Sequence, residues 1–310
     1  MGKLYGAVEI GGTKQQLAIC DDRGAILEHM CGKFPLPNGA IDVLNWIEAN
    51  LPGLLSKYTV DTIGVGYGGI LESATGRVLL SVQVPGWQDF MLKDWFEQKF
   101  GIPTVVVNDT VCGGYAEYCL GSGRGYKSFY YTNIGTGIGG AMFFDGKTYD
   151  GVGYGGVYMG NTYVQDPLGA PGAVCKLENF CSGVAIERRL RTPGRAPQDS
   201  MLYGSGLSCY DLKTAADAGD AFALSELELF AGVYGVTLAN FITLFSPQRV
   251  AIGGGVANLG EVLMEPIRRH TEKYVFESAK GCYDIVQCQL MDENVLIGAA
   301  LYARDGFKTI

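Results

Sequence analysis

Leu4-Tyr5-Gly6-Ala7-Val8-Glu9-Ile10, then Gly11-Gly12, then Thr13-Lys14-Gln15-Gln16-Leu17-Ala18-Ile19-Cys20 opens the chain, and the rest of the sequence is best understood from it. Apolar, β-prone residues on either side of a glycine pair read as strand, tight turn, strand. Asp21-Asp22-Arg23-Gly24 makes the next turn and Ala25 to Met30 a third strand. The same device returns later. Phe129 to Asn133 reads as a strand, Gly135-Thr136-Gly137-Ile138-Gly139-Gly140 as a glycine turn, and Ala141 to Phe144 as the returning strand. Glu9-Ile-Gly-Gly-Thr13 and Asn133-Ile-Gly-Thr-Gly137 are thus two copies of one feature, which implies two related halves with a boundary near residue 120.

Between and after the copies, strands alternate with helices. Gly39 to Ser56 is helical, with Ile41, Leu44, Ile47, Leu51 and Leu54 roughly on one face. Thr62 to Tyr67 is a buried strand ending in Gly68-Gly69. Asp89 to Phe100 reads as an amphipathic helix, Thr104 to Val107 as a strand, and Thr110 to Leu120 as a helix after Asn108-Asp109. Residues 145–210 are rich in glycine, proline and tyrosine and read as mostly irregular, with a short helix at Ser182 to Leu190. A long helix from Asp220 to Phe245 stops at Ser246-Pro247. Arg249 to Ile252 is a strand, Gly253-Gly254-Gly255 a turn, and Asn258 to Tyr274 and Asn294 to Arg304 are helices. The alternation places the chain in the α/β class.

Composition excludes several functions. The net charge is 24 − 32 = −8 with no basic arm, which argues against a protein that grips nucleic acid. No unbroken apolar run reaches about 18 residues, so no membrane span is expected. The start carries a strand and a turn rather than a signal core. The 9 cysteines form no CxxC pair, which fits free thiols in a reducing cytoplasm. The 2 histidines, His29 and His270, have no metal-ligand spacing.

The glycine turns carry the chemistry. Gly135-x-Gly137-x-x-Gly140 matches the dinucleotide pattern, but that fingerprint must open a helix and a strand follows here. Gly11-Gly12-Thr13-Lys14 lacks the first glycine of a P-loop. Each turn is still able to present backbone N–H groups to phosphate oxygens, and each also has an ordinary reading as a hairpin turn. Gly253-Gly254-Gly255 lies between strand and helix, where N–H groups are able to face a ligand, and reads equally well as a plain tight βα turn. Asn108-Asp109 stands at a strand's carboxyl end and a helix's amino end. There a carboxylate is able to take a proton from a hydroxyl, with the helix dipole keeping it ionised; the same pair also serves as an N-cap.

Four stretches together resemble the ROK family, in particular its glucokinase- and fructokinase-like sugar kinases. Glu9-Ile-Gly-Gly-Thr-Lys14 is similar to the family's first phosphate loop, Val84-Pro85-Gly86-Trp87 to its sugar-side PGW element, Asn108-Asp109-Thr110 to its N-D-[AT] motif, and Gly135-Thr-Gly-Ile-Gly-Gly140 to its second phosphate loop. The resemblance spans nearly the whole chain. It implies a two-lobed actin/hexokinase-like (ribonuclease H-like) α/β fold with the ligand cleft between lobes. Residues 1–120, completed by a C-terminal helix over 294–310, would form the small lobe and residues 121–293 the larger one. It further implies ATP with Mg²⁺, a cytoplasmic homodimer and a small sugar substrate, with no nucleic-acid or membrane partner. Asp109 would be the general base. Gly69, Gln83, Asn108, Tyr158, Asn161 and Glu178 would face the sugar. Gly11, Gly12, Thr13, Lys14, Gly135, Thr136, Gly137, Gly254 and Gly255 would hold ATP, and Glu9, where the family often has Asp, would stand near Mg²⁺.

The resemblance breaks in one region. The family's G-E-x-G-H is followed by C-x-C-G-x-x-G-C-x-E, whose His and three Cys bind structural zinc. Here the Glu becomes Tyr158 and the His Asn161, while the cysteines become Gly169, Pro171 and Lys176; Gly172 and Glu178 are kept, and Cys175 is one residue early. No zinc is therefore expected. Tyr149, Tyr154, Tyr158 and Tyr163 would hold the loop by packing instead. The family's repressors carry an added helix-turn-helix domain, and the early first strand argues for a kinase. A catalytically silent sugar-binding relative is the alternative that the altered loop raises.

Overall fold

The computed structural model describes residues 2–12, 14–81, 84–154, 156–204, 207–290 and 293–310, so the expectations for Thr13 and Gln83 lie outside the described residues. The chain forms two units. Unit 1 comprises Met1–Gly125, Ala141–Val157 and Leu290–Ile310; unit 2 comprises Tyr126–Gly140 and Tyr158–Gln289. Residues 141–157 thus return to unit 1, a crossing that a single division near residue 120 does not provide for.

In unit 1 the glycine hairpin is β1 (Leu4–Ile10) and β2 (Gln15–Asp21), followed by β3 (Ile26–Gly32). Helix α1 (Ala40–Leu55) buries Val43, Ile47, Leu51 and Leu54; Ile41, expected on that face, is 59% exposed, since the buried stripe runs through Val43. Strand β4 (Thr62–Tyr67) is followed by a small sheet, β5 (Ile70–Glu72), β6 (Arg77–Leu80) and β7 (Phe90–Met91), which shortens the next helix, α2, to Leu92–Phe100. Strand β8 (Thr104–Asn108) leads into α3 (Asp109–Leu120).

The main sheet has the order β3-β2-β1-β4-β8, antiparallel in the hairpins and parallel from β1 to β8. Its register matters for the site. Ile10 pairs with Tyr67 and Tyr67 with Asn108, so the carboxyl ends of three parallel strands finish in one row. Gly11, Gly68 and Asp109 follow that row, where ligands bind in open α/β sheets. Val8, Ile19, Ile47, Val65, Trp87, Phe96 and Val106 pack between sheet and helices.

In unit 2, β9 (Ser128–Ile134) enters the second glycine turn, and β10 (Ile138–Phe144) carries the chain back to unit 1, where its end pairs with β11 (Lys147–Thr148). The segment that reads as irregular holds more structure than expected. It contains β12 (Tyr163–Gln165) paired with β13 (Val174–Lys176), then α4 (Leu177–Cys181), α5 (Gly183–Leu190) and α6 (Cys209–Asp217). Helix α7 (Ala221–Phe245) precedes β14 (Arg249–Gly253), α8 (Glu261–Tyr274) and β15 (Asp284–Gln287). Gly260, with φ +72°, separates α8 from the 3₁₀ turn Gly255–Leu259, breaking in two what reads as one helix. The closing helix α9 (Asn294–Asp305) belongs to unit 1.

The second sheet has the order β11-β10-β9-β14-β15, again hairpins followed by parallel strands. The two halves expected from the repeated glycine turn therefore share a topology. By length and mean hydropathy α7 would suffice to cross a bilayer, contrary to the expectation from unbroken apolar runs. It is the core helix of unit 2: Leu227, Phe230, Tyr234, Leu238 and Phe241 are buried, and Phe241 stacks on Tyr130 of β9.

Candidate active site

Unit 1 gathers a carboxylate and the first glycine loop. Asn108 is the N-cap of α3: its Oδ1 accepts from Val111 N at 3.2 Å, and its Nδ2 donates to Gly69 O at 3.0 Å and Tyr67 O at 3.4 Å. Both amide hydrogens therefore have protein partners, so Asn108 keeps only acceptor capacity for a ligand hydroxyl. Asp109 follows in the first helical turn, its Oδ1 accepting from Thr110 N at 2.6 Å. Its Oδ2 lies over the end of β4: a Cβ built on Gly68 would stand 3.1 Å from it and 3.2 Å from Ile10 O. Gly68 thus lets the carboxylate and the first loop share one small space.

Burial pushes the Asp109 carboxyl up to about 6, helped by the negative charge of Glu9 and opposed by the Thr110 hydrogen bonds. The helix dipole alone would hold the group ionised; here desolvation wins. The result is a carboxylate that is mostly ionised at neutral pH yet basic enough to take a proton. Glu9 is itself raised by burial, against the pull of Lys14, Gln16 and His29. Lys14 Nζ is 3.8 Å from Glu9 Oε1, and Gln16 Nε2 donates to Glu9 Oε2. In the loop, Gly11 N–H donates to Lys14 O at 3.1 Å, which closes the turn and takes that donor away from any phosphate; Gly12 remains at its tip. Trp87 of the PGW element is a core residue, 1% exposed and edge-on to Tyr67 at 5.4 Å.

Unit 2 gathers the second loop and a pocket. Gly135 N–H donates to Gly137 O at 2.9 Å, and Gly139 N–H to Asn133 Oδ1 at 2.9 Å, which shapes the turn. A pocket of about 380 Å³ is lined by Gly135 and Thr136 of that turn, Gly255 and Val256 after β14, Val184 and Glu187 of α5, and Cys209, Tyr210 and Lys213 of α6, among others. Gly254 supports it from behind: with φ +82° and a Cβ position 2.6 Å from Ile134 O, it admits no side chain. The contribution of α6 was not expected; the capping box Ser208–Asp211 is the sequence signal that marks it.

On the other side of the turn, a Cβ on Gly137 would stand 3.1 Å from Glu178 Oε2. Glu178 occupies the first turn of α4. Tyr158 precedes a 3₁₀ turn, Met159–Asn161, and Asn161 Oδ1 accepts from Lys176 Nζ at 2.9 Å. The expected tyrosine packing holds only in part. Tyr154 Oη donates to Glu72 Oε1 at 2.7 Å, while Tyr163 is 69% exposed. Among the described residues, no group of three or more His, Cys, Asp and Glu is arranged to hold a metal ion.

A family profile described as the ROK family matches residues 5–306. The chain belongs to the ROK family. A glucokinase of Halalkalibacterium halodurans is 33% identical over 290 residues, which cover 88% of this chain and 86% of that protein. A glucokinase of Thermotoga maritima is 29% identical, covering 96% of each. The crystal structure of a ROK family glucokinase from Streptomyces griseus in complex with glucose and AMPPNP superposes with a TM-score of 0.83 at 29% identity, covering 98% of this chain and 100% of that one. The ROK assignment carries with it the two-lobed α/β fold of those kinases.

Proposed function

We propose that the protein transfers the γ-phosphoryl group of ATP to a hydroxyl of a sugar or polyol, with Asp109 as general base. One observation carries the reading: a carboxyl raised to about 6 stands at the joint end of the parallel strands, beside a glycine loop. Phosphoryl transfer asks the protein mainly to position groups and stabilise charge. Asp109 takes the proton as the hydroxyl attacks. Gly12, Thr136 and Gly137 are the glycine-turn residues that offer N–H groups to phosphate. The pocket behind Thr136, with Val184, Tyr210 and Val256 as apolar walls, accepts the nucleoside. The glucose and AMPPNP of the Streptomyces griseus complex support a sugar and a nucleotide as the two substrates. Mg²⁺ when bound would supply charge neutralisation on the phosphates, and Glu9, half-buried and pinned by Gln16, is the carboxylate suited to stand near it or its waters.

Glu178, Tyr158 and Asn161 are further residues that face the sugar. A site built to bond hydroxyls rejects ligands that leave its polar groups unpaired. Tyrosine replaces a carboxylate at 158, and Asn161 is engaged by the Lys176 ammonium, so glucose is expected to be a poor substrate and a different sugar or polyol the preferred one. ADP production measured over a panel of hexoses, amino sugars and polyols tests both statements. Turnover of a panel member with low kcat/KM for glucose is the expected outcome. Glucose as best substrate would overturn the specificity argument. ADP release with none of them, alongside a sugar-induced rise in Tm, would favour the silent sugar-binding relative.

A further inference from the structure

Glu178 is carried by α4, a helix of five residues. A helix that short has no stability of its own, and the turns before it, residues 167–172, are exposed. Something else must fix the Glu178 carboxylate beside the second glycine loop. The last carbonyls of α4 lack intrahelical partners, as at any helix end, and two arginines of α5 take them. Arg188 Nη2 donates to Asn179 O at 2.8 Å, and Arg189 Nη1 donates to Phe180 O. The Arg189 guanidinium also lies 4.3 Å above the centre of the Phe180 ring.

Arg189 is in turn anchored to the core helix. Its Nε is 3.4 Å from Glu226 Oε2 on α7, and the other Glu226 oxygen pairs with Arg195. The Glu226 side chain is 3% exposed and that of Arg189 9%. Such a buried ionic cluster is a poor way to gain stability, because desolvation offsets most of the Coulomb attraction. What it provides here is direction: a rigid fork that holds a carboxylate with one nitrogen and a helix end with another.

We infer that the Arg189–Glu226–Arg195 cluster is the positioning device for Glu178, fixing α4 so that its carboxylate meets the sugar. This rests on the sugar-contact role given to Glu178 above. Arg189→Lys keeps the charge opposite Glu226 but cannot reach Phe180 O at the same time. Arg188→Met removes the second tie from an exposed residue and leaves the buried charges untouched. In Arg189→Lys the sugar KM is expected to rise about 10-fold with the ATP KM held within about twofold; in Arg188→Met the rise is about threefold. A merely structural role would lower Tm and move both constants together or neither, and that result would overturn the inference. Hydrogen exchange gives a reading independent of turnover. Amides of residues 177–182 are expected to exchange faster in Arg189→Lys while those at the centre of α7 do not change. Unaltered exchange in 177–182 would overturn the inference even in a protein that phosphorylates no sugar, whereas absent turnover by the unmodified protein counts against the proposed reaction alone.

Discussion

Replacing Asp109 by Asn separates what the carboxylate does for chemistry from what it does to the fold. The folded carboxyl is raised from 3.8 to about 6 by burial and by Glu9. At 1.36 kcal/mol per unit, that difference amounts to about 3 kcal/mol of ionisation energy that folding must oppose, a ceiling because Asp109 keeps partial contact with solvent. The sign follows from linkage. An acid with a raised folded pKa favours the folded state only while protonated, so its contribution is complete below the unfolded value and is lost as pH rises through about 6. The asparagine side chain does not ionise, and its Oδ1 is still able to accept from Thr110 N. Asp109→Asn is therefore expected to be more stable than the parent at pH about 8, by up to about 3 kcal/mol, with the advantage shrinking to a small constant below pH about 4.

Tryptophan fluorescence in urea measures this cleanly, since all 3 tryptophans, Trp46, Trp87 and Trp95, lie in unit 1 with Asp109. With an m value of about 2 kcal/mol per M, the midpoint should rise by about 1.5 M at the alkaline end. Turnover should fall about 10²-fold or more over the same range, with modest change in sugar affinity. In the parent, kcat/KM should decline as pH drops through about 6, where the base takes up its proton. A difference in stability that ignores pH would refute the claim that burial perturbs this carboxyl. Near-normal turnover in the variant would refute its role as base.

Two further predictions concern the glycine loops. Gly137→Val places branched carbons where Glu178 Oε2 now stands, 3.1 Å from the Cβ position, so both the sugar KM and the ATP KM should rise in steady-state kinetics; unchanged constants would mean the glycine serves only the turn. Gly254→Ala sets a methyl 2.6 Å from Ile134 O at φ +82°, which should lower stability by about 2 kcal/mol and weaken nucleotide binding, read by urea unfolding and by titration with a nonhydrolysable ATP analogue.

Much of the site is legible in the sequence because its signals are local. A glycine pair between two apolar strands can hardly be anything but a hairpin, and Asn108-Asp109 between a β-branched strand and a helix marks a strand's carboxyl end. What escapes depends on contacts that spacing does not encode. Strand β15 has four residues, Asp284–Gln287, and gains its identity only by pairing with β14. The small sheet β5 to β7 is built of strands of two to four residues. The pocket residues of α6 are hidden with the helix itself, inside a stretch that reads as irregular. Arg189 and Glu226 look like ordinary surface charges on amphipathic helices, and only the packing of α4, α5 and α7 makes them a buried cluster.

The repeated topology gives the two glycine turns a common frame while their surroundings differ. In each half, the glycine turn begins at an isoleucine whose carbonyl faces the neighbouring parallel strand. Gly68 N–H donates to Ile10 O at 2.8 Å, and a Cβ on Gly254 would press on Ile134 O at 2.6 Å. A side chain at either glycine would push the adjacent strand end away from the loop, so the same residue type recurs at corresponding places for the same steric reason. The third parallel strand is where the halves diverge. Beyond β4 comes β8, which ends in Asn108 and starts α3 at Asp109. Beyond β14 comes β15, which ends at Gln287, whose Nε2 donates to Ala257 O at 2.9 Å and braces the 3₁₀ turn under the pocket. One half therefore follows that strand with the Asp109 carboxyl, and the other uses the strand's end to brace the turn that lines the unit 2 pocket. A duplicated frame of this kind offers a glycine turn at a strand end twice, and what distinguishes the two is which side chain terminates the strand beside it.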